Sequence, residues 1–157
     1  MSSRKDTKLE AAGAEFLVLG CLLIEGVACY KAYINFPGYD LTAVNPETKK
    51  VARIQVKSRW ATDYDRSFPI KSFECDFVVH VALNRGYASG KKGSGTSGVS
   101  DPEFYVFPVE VVRAAQGNDS WGKVRISNIP DFQTYKAKWT LIKDYLQNTL
   151  PTTQPSV

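Results

Sequence analysis

Gly38-Tyr39-Asp40-Leu41, followed after a short interval by Ile54-Gln55-Val56-Lys57-Ser58, is the stretch whose reading decides the fold. It reads as two strands of one hairpin. Asp40 stands where the first apolar strand begins. Gln55 and Lys57 are two residues apart, so on a strand they share a face, and Ile54 and Val56 point the other way, into a core. Between the strands, Asn45-Pro46-Glu47-Thr48-Lys49 has the composition of a turn.

Outward from this hairpin the chain punctuates itself. Leu9, Ala12, Phe16, Leu19, Leu22 and Leu23 recur at helical spacing, which predicts a helix over residues 7–26 that buries this stripe and stops at Gly26. Residues 27–34 alternate as a strand, and Phe36-Pro37-Gly38 breaks it. Strands are predicted at 39–44 and 51–58. The apolar run Cys75 to Leu83 has the pattern of a central strand. Residues 85–102 are rich in glycine and serine and predict a long loop. A short strand at 104–107 leads to Pro108, which suits the first turn of a helix ending near Ala115. Residues 121–127 predict a strand and 134–146 a last amphipathic helix, with Trp139, Ile142 and Tyr145 on one face. Residues 147–157 are polar, carry two prolines and predict a disordered tail. No internal repeat is present. The reading is a single α/β (α+β) domain over residues 1–146, a mixed four- to five-stranded sheet flanked by helices.

Composition narrows the class. The 157 residues suffice for one domain burying about 70% of its unfolded surface. A net charge of +4 and a pI near 8.9 permit a polyanionic partner without requiring one. Cys21, Cys29 and Cys75 are odd in number and unpaired in spacing, which argues against a disulfide framework and a structural zinc site. Arg4, Lys5 and Lys8 precede an apolar run from Phe16 to Ile24, in the manner of a signal peptide. Glu10 and Glu15 interrupt the approach, and nine residues are too few to span a bilayer. The expectation is a buried helix in a cytoplasmic protein with no membrane partner.

A carboxylate, an amide oxygen and a lysine at one sheet edge can hold a hard cation and activate a water against a phosphate. Each residue also has a plainer reading. Asp40 can cap the turn after Pro37-Gly38. Gln55 and Lys57 can form a solvated strand face, and Glu15 can be an ordinary exposed helix residue. His80, inside an apolar strand, reads as a satisfied core histidine. The glycine-rich loop holds no Gly-Lys-Ser/Thr opening a helix, so it is not a nucleotide-binding loop of that type.

Glu15 on the helix, then Gly38-Tyr39-Asp40, then Ile54-Gln55-Val56-Lys57-Ser58, resembles the PD-(D/E)XK nuclease superfamily. More closely it resembles the branch with glutamine in the motif, small bacterial endonucleases that include an intron-encoded homing enzyme. The resemblance covers residues 8 to about 110 and includes Cys75-Asp76-Phe77-Val78-Val79 and Glu103-Phe104-Tyr105-Val106-Phe107-Pro108. It implies a restriction-endonuclease-like core in which an N-terminal helix supplies a glutamate to a mixed sheet, and a site that binds magnesium. Two positions depart from the superfamily pattern. Tyr39 replaces the proline before Asp40, which concerns backbone alone. Gln55 replaces an acid, which removes a charge that Mg²⁺ prefers.

The chemistry then assigns roles. Asp40 binds Mg²⁺ directly, with Mn²⁺ able to substitute. Glu15 is a second anionic ligand, directly or through water, and Gln55 adds a neutral oxygen. Lys57 orients or helps deprotonate the water and neutralises the phosphate. Glu10, Glu15 and Glu25 lie on one helix at offsets of five and ten residues, so the expectation is that one of them, Glu15, faces the site, beside the small residues Ala11, Ala12 and Ala14. Lys49, Lys50, Arg53, Ser58, Arg59, Trp60, Arg66 and Lys71 surround the motif as candidate DNA contacts, cations interleaved with aromatics. An ordinary charged hairpin surface is the competing reading. The expected function is Mg²⁺-dependent endonucleolytic hydrolysis of double-stranded DNA by a homodimer or homotetramer. The alternatives are a catalytically weak or inactive nuclease-fold DNA-binding module and a protein-interaction partner keeping only the fold.

Overall fold

The computed structural model describes residues 7–32, 38–62, 66–87, 97–118 and 120–148. A helix, α1 (Thr7–Ile24), precedes β1 (Ala28–Lys31), β2 (Leu41–Val44) and β3 (Val51–Arg59). After these come β4 (Ser67–Pro69), β5 (Phe77–Ala82), β6 (Glu103–Pro108), helix α2 (Val109–Ala115), β7 (Lys123–Arg125) and helix α3 (Thr140–Gln147). The main sheet runs β1-β2-β3-β5-β6. Its one parallel pair is β3–β5, and the other neighbours are antiparallel. β4 and β7 form a separate two-stranded ribbon.

The sheet is covered on both faces. Ala14, Val18 and Leu22 of α1 and Ile142 and Leu146 of α3 pack with Ile54, Val79, Val81 and Val106 on one side. Phe68 and Ile70, Val109 and Val112 of α2, and Val124 and Ile126 pack with Val78, Tyr105 and Phe107 on the other. β5 is therefore buried at all six positions, which is why its sequence shows a continuous apolar run in place of alternation.

Local signals act where expected. α1 ends at Gly26, with φ +81°, where the Val27 N–H donates to the Leu22 carbonyl at 2.9 Å. The β2–β3 turn is tied by Asn45 Oδ1, which accepts from the Glu47 N–H at 2.9 Å, and Lys49 takes a left-handed φ of 63°.

Four expectations change. The stripe predicted to be buried on α1 is right only in part: Leu22 is buried and Leu19 packs against the core, but Leu9, Phe16 and Leu23 are exposed, and Ala14 and Val18 join Leu22 on the sheet. The helix is apolar on both faces, so spacing alone does not choose between them, and the narrower face made by Ala14 and Val18 lies closest to the strands. The strand predicted at 121–127 shrinks to β7, followed by a 3₁₀ turn at Ile126–Asn128. The helix predicted at 134–146 becomes a 3₁₀ turn at Phe132–Tyr135 and then α3, because Ala137 takes a φ of 49° and its N–H donates to the Phe104 carbonyl at 2.7 Å. β4 is an additional strand, too short for its alternation to show in sequence. The interior of the predicted glycine-rich loop and nearly all of the predicted tail lie outside the described residues.

Candidate active site

The site forms where β2 leaves β3. β2 pairs with β3 over Leu41↔Ile54 to Val44↔Val51, whereas β3 pairs with β5 from Ile54↔Phe77 to Arg59↔Ala82. From Gln55 onward β3 has a hydrogen-bonded neighbour strand on one side alone. The Asp40 N–H still donates to the Ile54 carbonyl at 2.8 Å. The next amide on that edge, Val56 N–H, has no strand to pair with, and it donates to Asp40 Oδ2 at 2.8 Å. The carboxylate thus completes a backbone ladder and is held at the point where the sheet opens.

Gly38 makes this placement possible. Its φ is +102°, and a Cβ there would come within 2.8 Å of Ser72 Oγ and 2.9 Å of Glu74 Cβ. A side chain at position 38 would push the segment away and move Asp40 with it.

A cleft of about 800 Å³ opens at this edge, lined by Glu10, Glu15, Asp40, Gln55, Lys57 and Ser58 together with Arg59 and Trp60. Glu15 ion-pairs with Lys31 at 3.2 Å and lies within hydrogen-bonding reach of Asp40. Burial raises the Glu15 pKa above its ordinary 4.5, the Asp40 charge raises it further, and Lys31 offsets part of this. Burial likewise holds the Lys57 amine below its ordinary 10.5, against the favourable pull of Asp40. Gln55 Oε1 is buried and has no hydrogen-bond donor. Among the described residues no group of three or more His, Cys, Asp or Glu side chains gathers as a metal cage. The donor set is two carboxylates and an amide. Two carboxylates held together at a partly dry edge, beside an orphaned amide oxygen, suit a hard divalent cation.

The four expected catalytic residues therefore share one cleft. Glu10 joins them and corrects the expectation that one glutamate alone would face the site. It accepts from Ser58 Oγ at 3.3 Å. The offset of five residues sets Glu10 and Glu15 on the two flanks of the buried Ala14–Val18 face, so both lean toward the sheet. Glu25 is elsewhere, paired with Lys143 at 2.9 Å. Lys31 had no signal in the motif; its place opposite Glu15 depends on β1 being the sheet edge.

The expected DNA contacts divide. Ser58, Arg59 and Trp60 line the cleft. Arg66 donates from Nη1 to the Tyr105 hydroxyl at 3.4 Å. Lys49, Lys50 and Arg53 do not line it: Lys50 donates to the Asn148 carbonyl at 3.1 Å, and Arg53 pairs with Asp76 at 3.5 Å. Lys71 borders a separate depression beside Trp121.

His80 pairs in register with Lys57 and lies fully buried against Phe68, with ring centroids 5.4 Å apart. It is a core histidine, as expected, but neither ring nitrogen has a partner, so it is not a satisfied one. Burial first, then the Arg59 and Arg66 charges, lower its pKa from 6.5 to about 3.

No protein-family model and no curated protein sequence matches this chain. Among solved structures it is similar to a bacterial homing endonuclease, I-Ssp6803I, at 22% identity and a TM-score of 0.58, over 93% of this chain and 95% of that one. It is also similar to Hjc, a Holliday junction resolvase from Archaeoglobus fulgidus, at 16% identity and a TM-score of 0.45, over 77% of this chain and 88% of that one. The fold is restriction-endonuclease-like.

Proposed function

We propose that this chain is an endonuclease that hydrolyses phosphodiester bonds in double-stranded DNA and uses Mg²⁺, with Mn²⁺ as a substitute. The observation that carries this reading is the convergence of Asp40, Glu15, Gln55 and Lys57 in one cleft, where β2 ends and the edge of β3 opens. The fold shared with a homing endonuclease supports it.

Asp40, Glu15 and Gln55 Oε1 would hold the cation. When bound, Mg²⁺ acidifies a water and offsets negative charge on the phosphate. The chain's own groups do the rest. Asp40 Oδ2 is committed to the Val56 N–H, so its other oxygen is presented to the cleft in a fixed orientation. Lys57, kept below the ordinary lysine range by burial, has a larger neutral fraction with which to take a proton from the attacking water. Its charged form neutralises the phosphate. Glu15 must be ionised to serve, and its raised pKa places that requirement above the usual carboxylate range.

Ser58, Arg59 and Trp60 are the proposed DNA track, since they line the cleft, and Arg66, which donates to the Tyr105 hydroxyl, is a proposed contact beside it. Lys71 is a flanking contact. Cutting both strands with one site per chain calls for a symmetric dimer or tetramer.

The test is nicking and linearisation of supercoiled plasmid with Mg²⁺ and with chelator. Asp40→Asn keeps an acceptor for the Val56 N–H while removing the charge, and Lys57→Met keeps the aliphatic stem. Each is expected to lower cleavage by about 10²–10³-fold, the scale for one electrostatic group at a transition state, with thermal unfolding unchanged within a few degrees. Parent-level cutting by both variants would sink the proposal.

A further inference from the structure

Trp121 stands outside both cores, 72% exposed, in the turn that leads into β7. An open indole is ordinary by itself; its setting is not. The backbone that follows it is clamped. Gln116 Nε2 donates to the Gly122 carbonyl at 3.1 Å and to the Ile70 carbonyl at 3.0 Å. The Ile70 N–H donates to the same Gly122 carbonyl at 3.1 Å, and the Gly117 N–H donates to the Lys123 carbonyl at 3.0 Å and closes the base of the turn. Gly122 takes a φ of +60°, and a Cβ there would lie 2.6 Å from Gln116 Nε2 and 2.7 Å from the Ile70 carbonyl oxygen. A large aromatic ring on an anchored turn loses little freedom when something binds to it.

Beside the indole lies a depression of about 430 Å³, lined by Lys71, Gln116, Asn118 and Ser120. A flat apolar ring next to amides, a hydroxyl and a cation matches a nucleotide, which has a π face, hydrogen-bonding edges and a phosphate. A side chain that only wedges between paired bases needs no such depression. Charge agrees. Residues 66–71 and 120–126, which build β4, β7 and their ends, include Arg66, Lys71, Lys123 and Arg125 and no acid. Val124 is buried, so Lys123 and Arg125 share the outer face of β7. The ribbon also continues the cleft. Pro69 belongs to the cleft wall and pairs with Lys123, two residues from Trp121. Two residues span at most about 7 Å, and successive nucleotides rise about 3.4 Å along a duplex strand. The indole is thus within a few nucleotides' reach of a phosphate at that wall.

We infer that the β4–β7 ribbon is a second DNA-binding element, at which an unpaired base stacks on Trp121 and turns its edge into the depression beside Lys71. Lys123 and Arg125 hold the phosphates between that base and the cleft. The substrate class selected is duplex DNA with an unpaired or extruded nucleotide near the cut, in preference to a fully paired duplex. The inference rests on the DNA reading of the cleft and adds to it the structure of DNA preferred.

The test compares a paired duplex with the same duplex carrying a short bulge centred on a fluorescent adenine analogue. Binding by the full chain is read by anisotropy in chelator, and cutting is read separately with Mg²⁺. The parent is expected to bind the bulged DNA about tenfold tighter, the scale of one base stacked on an aromatic ring, and to quench the analogue. Trp121→Ala should lose the preference and the quenching, with its affinity for the paired duplex and its thermal unfolding unchanged. Trp121→Phe should restore most of both. Arg125→Gln should weaken both DNAs alike and reduce the slope of affinity against salt by about one. Equal binding of the two DNAs by the parent overturns the inference, as does a preference that survives in Trp121→Ala or a salt slope unmoved in Arg125→Gln. So does equal weakening of both DNAs in Trp121→Ala, which would make the indole a wedge between paired bases. A chain that binds neither DNA removes the DNA reading of the cleft as well, whereas one that binds and cuts the paired duplex without preference removes this inference alone.

Discussion

The two halves of β3 differ in one respect, and the site follows from it. Over Val51–Ile54 the strand has β2 on one side, and burial alternates cleanly, with Ala52 and Ile54 inside. Over Gln55–Arg59 β2 is gone, β5 remains, and every residue is half-buried. The paired half is a stability element. The open half has an unmet backbone amide, which Asp40 meets, and a row of side chains that neither core nor solvent claims. The candidate site arises here from a strand losing a neighbour, not from a change in its conformation.

Adjacent residues across that boundary should respond in opposite ways. Ile54 is fully buried in the paired half. Ile54→Ala is expected to cost about 2–5 kcal/mol in urea unfolding, and a loss below 1 kcal/mol would mean that the paired half is not the anchor.

The next effect lies beneath the open half, at His80, in register with Lys57. Its folded pKa of about 3 is below the ordinary 6.5. Between these values the unfolded chain binds a proton that the folded chain refuses, so its contribution is full above pH 6.5 and is lost as pH falls toward 3. His80→Leu should flatten the fall in unfolding midpoint across that window relative to the parent. Parallel curves for the two proteins would contradict the buried, neutral imidazole.

Glu15 has the reverse sign. Its folded pKa is raised, so its contribution is full below pH 4.5 and is lost as pH rises through the folded value. In chelator at pH 7, Glu15→Gln should therefore unfold at a higher temperature than the parent, and the two should converge in acid. If the proposed cation site holds, Mg²⁺ should raise the unfolding temperature of the parent and not that of this variant. The smallest effect belongs to Gln55, whose amide oxygen has no partner to lose. Gln55→Met should hold or raise stability by no more than about 1 kcal/mol, while calorimetric Mg²⁺ affinity falls. If it destabilises as Ile54→Ala does, the division of β3 is wrong.

Much of this was legible in residues alone. The spacing of Gln55 and Lys57 put them on one face, the Asn45–Lys49 turn set the hairpin, and the apolar run at 77–82 announced a strand covered on both sides, because local stereochemistry and a two-residue period act within a few residues of chain. That Asp40 and Glu15 would share a cleft was legible in the order of the motif. What tertiary structure decided lies between segments distant in sequence. Which apolar face of α1 meets the sheet depended on how closely Ala14 and Val18 let it dock, since both faces satisfied the helical period. Lys31 reached Glu15 because β1 is the edge strand, and Glu10 reached Ser58 because α1 crosses that edge. Lys50 and Arg53, indistinguishable by composition from the cleft cations, were taken by the Asn148 carbonyl and by Asp76. The alternation of one strand is local, but the neighbour that it lacks is settled by where another strand ends, and packing decides that.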